Sequence, residues 1–378
     1  MRAANGFPIH LIESQTEFDS LCKSWTELNT LSFDTEFVRT NTFYPKLGLL
    51  QLADAAACYL VDPLCVSDWS EFCALLNKAK PQFAIHSCSE DLNLLHTSIQ
   101  CTPSNLFDSQ LAAAFNGLGF SISYQGLVKL LLNSEIAKDE TRSDWLKRPL
   151  SNTQLVYAAN DVCYLSILQD RLLEQLEAKN RTAWFEEECK LQSKLVCELE
   201  NQINWKNAYA GISNAWKLNN QDLAKLRRLC LWREEKARCL NKPRNWIAKD
   251  SDLLSLSLEG SVKNFESIAF SDRRFYSRYG NEIVEIIDSL VVDISEMDRS
   301  ILNFPLSPVL RKKLKSCQKV VAEIAERLTI APELLARKRL LQNLVRNYQN
   351  SGELLWEDEL SGWRREVLEE EISPLFSR

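Results

Sequence analysis

Asp34 and Glu36 stand two positions apart in the run Leu31-Ser32-Phe33-Asp34-Thr35-Glu36-Phe37, whose other residues are mostly apolar and strand-forming. A strand alternates its faces, so the two carboxylates project side by side from one of them. Acids placed that way repel each other and are poorly solvated, a costly arrangement unless a cation fills the gap. Hard oxygen donors suit Mg²⁺ or Mn²⁺, which proteins hold through a few carboxylates together with substrate phosphate. Taken alone, such a pair is more often a strand edge whose acids face water.

Two further stretches offer acids in settings that fit the first. Pro81 to His86 reads as a short buried strand, followed by Ser87-Cys88-Ser89-Glu90, whose S-x-x-E spacing is that of a capping box opening a helix. Asp91 then falls in the first turn, where the helix dipole favours an acid. A second capping box, Ser151-Asn152-Thr153-Gln154, opens a long helix running through Leu155, Ala158, Val162, Leu165, Leu168 and Leu172. Tyr157 and Asp161 lie four residues apart on it and share one face.

Together these segments resemble the D-E-D-D exonuclease superfamily in the variant whose last motif is Y-x-x-x-D, and within it the ribonuclease D family. The likeness extends through Asp34-Thr35-Glu36-Phe37-Val38-Arg39, Thr42-Phe43-Tyr44-Pro45, Leu47-Gly48-Leu49-Leu50-Gln51-Leu52 and His86 to Asp91. It continues in Arg142-Ser143-Asp144-Trp145-Leu146-Lys147-Arg148-Pro149-Leu150 and Tyr157-Ala158-Ala159-Asn160-Asp161. The string from Trp232 through Pro243-Arg244 to Asp252-Leu253 resembles the HRDC module, a small helical nucleic-acid-binding or docking domain. A weaker echo over 295–375 includes Pro332-Glu333-Leu334-Leu335-Ala336-Arg337-Lys338.

The resemblance implies an α/β fold: a ribonuclease H-like mixed-sheet 3′→5′ exonuclease domain followed by two small all-α, HRDC-like domains. The expected division is 7–179 for the exonuclease domain, 180–204 for a helical connector, 205–290 for the first HRDC domain and 295–375 for a second, diverged one. Strand-like runs at 31–37, 47–53, 58–62, 82–86 and 104–107 alternate with helical ones in the first part. After Asn180 the chain reads as leucine-rich helix, with an amphipathic stretch over Leu223–Glu235 broken at Asn241-Lys242-Pro243-Arg244.

A chain of 378 residues exceeds one ordinary core, and 45% hydrophobic with 25% charged residues is a globular composition. No run is long and apolar enough for a membrane span, and the start at Met1-Arg2-Ala3-Ala4 lacks a signal-peptide core. The twelve cysteines form no C-x-x-C pair and, with three histidines, leave little for a zinc site. They read as reduced, buried thiols of a cytoplasmic protein, expected to be a monomer without membrane partner or organic cofactor.

The net charge of −6 conceals an uneven distribution. From Trp205 to Lys249 eleven Lys/Arg face three Asp/Glu, with Trp205, Trp216, Trp232 and Trp246 interleaved, a footprint suited to phosphate. The clusters Arg311-Lys312-Lys313-Leu314-Lys315 and Arg337-Lys338-Arg339 read as solvated helix faces. A chain ending near Asn201 is expected to keep a folded exonuclease domain and lose grip on structured substrates.

By resemblance, two Mg²⁺ or Mn²⁺ ions serve phosphodiester hydrolysis and nucleoside 5′-monophosphates leave from the 3′ end. Asp34 bridges both ions, Glu36 and Asp161 complete the first, and Asp91 holds the second. Tyr157 orients the attacking water, since a neutral phenol is a weak base at pH 7. RNA is the expected partner, with precursor tRNA 3′ ends the implied substrate. His86 and Arg142 stay outside the site, and Asp54, Asp62 and Asp108 read as turn or cap acids. Two alternatives remain open: a DNA exonuclease of the same superfamily, separable by competition between RNA and DNA oligonucleotides, and a non-catalytic RNA-binding scaffold, which gives no reason to gather unpaired acids.

Overall fold

The computed structural model describes residues 1–136, 143–259, 268, 270–272, 274–289 and 298–377. Six strands form one mixed sheet in the order β1-β4-β3-β2-β5-β6. They are β1 (Ile9–Ile12), β2 (Thr30–Val38), β3 (Lys46–Ala53), β4 (Cys58–Val61), β5 (Gln82–Ile85) and β6 (Leu106–Asp108). β2 and β3, both rich in large apolar residues, pair antiparallel at the centre, as do β3 and β4; the flanking pairs run parallel. β1 is invisible to the alternation rule because only Ile12 of its four residues is buried.

The helices of this half are α1 (Gln15–Ser24), α2 (Ser70–Leu76), α3 (Ser89–Ile99), α4 (Ser109–Phe115), α5 (Tyr124–Leu132), α6 (Asn152–Val162), α7 (Leu165–Ala178) and α8 (Thr182–Leu199). The helix expected to run unbroken from Ser151 past Leu172 is two, α6 and α7. The side-chain amide of Asn5 takes the Cys163 carbonyl at 2.7 Å, and the Tyr164 amide donates to the Tyr124 hydroxyl at 3.1 Å. Groups that would continue the helical ladder are thereby satisfied from outside. The segment expected to connect domains, α8, buries Phe185 and Cys189 in the same core as the sheet.

A middle helical unit contains α9 (Gln202–Lys206), α10 (Asn220–Cys239), α11 (Arg244–Ile247), α12 (Asp250–Leu258) and α13 (Phe275–Asp288). It has its own apolar core, which Phe43 from the loop after β2 joins, with Tyr44 packed against it. The C-terminal unit, α14 (Pro308–Leu328), α15 (Pro332–Leu335), α16 (Lys338–Ser351) and α17 (Trp363–Ile372), behaves differently. Its Leu314, Val321, Ile324, Leu344 and Trp363 belong to the same continuous core as the sheet. Arg181 fastens the seam by donating to the carbonyl oxygens of Phe115, at 2.5 Å, and Leu328. The expectation that the chain folds without everything beyond Asn201 is therefore corrected: that cut removes part of one core.

The cysteines match their reading as free thiols: all twelve are unpaired and eight are buried, with Cys22 and Cys58 pushed up to about 12 by burial. No helix among the described residues is long and apolar enough to cross a membrane.

Candidate active site

β2 carries Asp34 and Glu36 in a regular ladder with β3, opposite Gln51 and Leu49. Beyond Glu36 the register slips: Phe37 faces Leu47, leaving Gly48 unpaired as a β-bulge. A Cβ on Gly48 would lie 2.7 Å from the Trp145 Cβ and 3.2 Å from the Glu36 carbonyl oxygen, so glycine is what lets these backbones meet. The bulge shifts the pairing register immediately after Glu36, and the ladder resumes at Phe37 and Val38.

Asp91 sits in the first turn of α3, buried, where it accepts a hydrogen bond from the Thr35 hydroxyl. That contact ties the start of α3 to the residue between the two strand acids. The capping box expected from Ser87 and Glu90 is absent. Ser87 adopts a left-handed conformation, φ 67°, and its amide and that of Cys88 donate to the Asp108 carboxylate at 3.0 and 2.9 Å. Glu90 instead faces Arg39 at 3.6 Å. The box at Ser151 and Gln154 is formed as expected and starts α6, which carries Tyr157 and Asp161.

The structure brings the acids together. Burial, then the charges of Asp91, Asp161 and Glu36, push the Asp34 carboxyl well above the usual carboxylate range. Burial and the neighbouring Asp161 and Asp91 push Glu36 up to about 8. Burial raises Asp91 to about 7, against the opposing Thr35 hydrogen bond, and raises Asp161 to about 7 against one from Tyr157. None of the four forms an ion pair among the described residues. Tyr157 is itself held above its ordinary pKa by burial and by the charges of Asp161, Glu36 and Asp34, so its hydroxyl stays protonated. Across the ladder from Asp34, the buried carboxamide of Gln51 has no partner at either polar atom. Four crowded carboxylates with no basic partner fit a hard divalent cation, which would relieve both repulsion and burial.

Sequence reasoning missed the support of Tyr157. Trp145, buried, packs its ring 6.1 Å from that of Tyr157. Its segment is pinned by Arg148, which forks onto Asp62 at 2.5 and 2.6 Å, donates to the Gly48 carbonyl at 2.8 Å, and returns to the Trp145 carbonyl at 2.9 Å. Asp62 is thus more than a turn acid, although it does accept from the Leu64 amide. Asp54 and Asp108 do hold a turn and a helix start, through Ala56 and Ala57 and through Gln110 and Leu111. His86 is a packing residue: its Nδ1 meets the Ser109 hydroxyl at 2.9 Å and its Nε2 the Ile122 carbonyl at 3.0 Å. Arg142 lies outside the described residues.

Five of the eleven bases in the stretch Trp205–Lys249 are paired with acids within the fold. Lys225, Arg233, Lys236, Arg238 and Arg244 pair with Asp222, Asp250, Glu282, Glu200 and Glu234. Arg238 also stacks between Phe43 and Trp205, 4.5 and 3.9 Å from the ring centroids. Asn241 accepts the amides of both Phe43 and Tyr44, at 3.0 and 2.9 Å. These residues dock the middle unit onto the loop that follows β2.

Residues 9–177 match the family model described as 3′-5′ exonuclease, and 222–287 match the HRDC domain. Ribonuclease D of Pseudomonas paraeruginosa is 37% identical, covering 95% of this chain and 95% of its own. Ribonuclease D of Escherichia coli (strain K12) is 32% identical over 97% of this chain and 98% of its own. The crystal structure of Escherichia coli RNase D, described as an exoribonuclease involved in structured RNA processing, superposes with a TM-score of 0.86 at 30% identity, covering 98% of each chain.

Proposed function

The chain belongs to the ribonuclease D family and is a 3′→5′ exoribonuclease; from that premise we propose that Asp34, Glu36, Asp91, Asp161 and Tyr157 are its catalytic residues, acting on the 3′ ends of precursor tRNA and other structured RNA. The observation that most supports this reading is the crowding of four carboxylates whose pKa values are all raised, burial being the largest cause at each. Two Mg²⁺ or Mn²⁺ ions are the proposed cofactors, and Asp34, Glu36, Asp91 and Asp161 would hold them. When bound, they supply the positive charge that makes water a nucleophile and stabilises a leaving 3′ oxygen.

The chain's own residues do the rest. Tyr157, protonated and one helical turn from Asp161, can donate to that carboxylate while its oxygen lone pair accepts from the attacking water. It orients the water and cannot take its proton. Thr35 fixes the Asp91 carboxylate, and the Gly48 bulge shifts the strand register directly beside Glu36. The domain division 7–179, 180–204, 205–290 and 295–375, the last as a second HRDC-like unit, belongs to this proposal, as do a monomeric state and a cytoplasmic location.

Incubating the protein with 3′-extended tRNA and Mg²⁺ or Mn²⁺ tests the reading. Single-nucleotide laddering from the 3′ end, abolished by EDTA and by Asp34→Asn, is the expected result. Internal cleavage, or full activity in Asp34→Asn, would overturn it.

A further inference from the structure

The two basic clusters that the sequence presents as separate solvated faces meet in space. Arg311 and Lys315 on α14, one turn apart, face Lys338 and Arg346 on α16 across a cavity of about 490 Å³, floored by the stretch 303–306. Gln318 and Gln342 line it as well, and no acid does. Elsewhere on the same unit several charges are matched: Arg327 pairs with Glu371, Lys319 with Glu323 and Arg339 with Glu359. None of the four cavity cations forms an ion pair among the described residues. Arg311, Lys315 and Lys338 are exposed, and Arg346, half-buried, donates through a terminal guanidinium nitrogen to the Asn343 side chain at 3.1 Å. Four like charges around one concavity repel. An anion with several acceptor oxygens removes that penalty.

We propose that this cavity binds backbone phosphates of the structured RNA substrate, giving the C-terminal unit its own electrostatic grip on RNA. The proposal rests on the exoribonuclease reading for its ligand. Charge complementarity selects the occupant: cations on two helices and two side-chain amides line one cavity, which suits phosphodiester oxygens.

The test uses the full chain carrying R311Q, K315Q and K338Q together, and separately R346Q, each first shown by melting to be folded. Binding of 3′-extended tRNA is measured by anisotropy in EDTA at several salt concentrations, so the readout needs no catalysis. Three lost phosphate contacts flatten the slope of log K against log[salt] by about 2 to 3 and weaken binding at least about tenfold near physiological salt. Hydrolysis of a short single-stranded oligoribonucleotide stays at the wild-type kcat. An unchanged slope overturns the proposal. So does binding of inorganic phosphate or poly-glutamate that the variants lose while keeping wild-type tRNA affinity, because the cavity then serves a free anion or an acidic protein. Should the wild type fail to degrade RNA with Mg²⁺, the exoribonuclease reading falls, and the salt slopes still decide what the cavity holds.

Discussion

Trp363, in the last helix, stacks on Trp184 of α8 with ring centroids 5.3 Å apart and planes 23° from parallel. The next residue, Arg364, donates to Glu188, a buried pair one turn further along α8. Trp363 also meets Phe115 edge-on at 5.1 Å. The C-terminal unit is thus joined to the exonuclease domain by aromatic burial and an ion pair that is strongly destabilising to break from one side. A chain ending near Asn201 is expected to aggregate or melt without a cooperative transition. Trp363→Ala in the full chain is expected to cost about 3–5 kcal/mol. Thermal denaturation followed by circular dichroism checks both.

Asp34→Asn is expected to lower kcat about a thousandfold, on the order of 4 kcal/mol, because it removes charge from one of the carboxylates proposed to hold the ions. RNA affinity measured in EDTA should remain close to wild type. Retention of more than a tenth of wild-type turnover would contradict the assignment.

Tyr157→Phe keeps the ring that Trp145 packs against and removes only the hydroxyl. The expected loss in single-turnover rate is roughly tenfold to a few hundredfold, with little change in metal affinity. An unchanged rate would reduce Tyr157 to a packing residue.

The acidic cluster also predicts how stability changes with pH. Glu36 at about 8 and Asp91 and Asp161 at about 7 lie above their unfolded values near 4. In the metal-free protein, the folded state therefore holds more protons than the unfolded state between about pH 4 and 8, and stability falls as pH rises through that window. Below it both states are protonated and the contribution is fully present. The melting temperature in EDTA should drop by roughly 5 °C or more from pH 5 to pH 8.5, and saturating Mn²⁺ should largely remove the drop. A flat profile in EDTA would mean the carboxylates are not crowded as described.

Much of the site was legible because its signals are local. A two-residue period places Asp34 beside Glu36, a four-residue one places Tyr157 beside Asp161, and Ser151 with Gln154 marks where α6 starts. The Ser87 box failed because Asp108, 21 residues on, offers a charged acceptor that a serine hydroxyl cannot match. Arg148 and Asp62, 86 residues apart, carry no mutual signature, since each is an ordinary polar residue in its own neighbourhood. A count of the bases in 205–249 leaves out acids brought in by folding, such as Glu200 and Glu282. The same count could not anticipate that Arg311 and Lys338, on different helices, face one cavity.

Arg148 is the sharpest test of how the tyrosine is held. Burial alone would raise the Asp62 carboxyl; the Arg148 hydrogen bonds, the Leu64 amide and the Arg148 charge outweigh it and hold Asp62 below its ordinary value. Arg148→Ala leaves that carboxylate buried without its partner, at an expected cost of about 3–5 kcal/mol. Much of that stability should therefore be lost as an activity assay warms. Arg148→Lys keeps the charge and cannot reproduce a fork that reaches Asp62, Gly48 and Trp145 at once. It is expected to stay folded and lose roughly tenfold in kcat with KM nearly unchanged, since what moves is the Trp145 wall behind Tyr157 and not a substrate contact. Because that loss passes through the phenol, it should shrink in a Tyr157→Phe background, where there is no hydroxyl left to misplace. Additive losses in the double variant would mean that Arg148 supports the fold without acting on Tyr157.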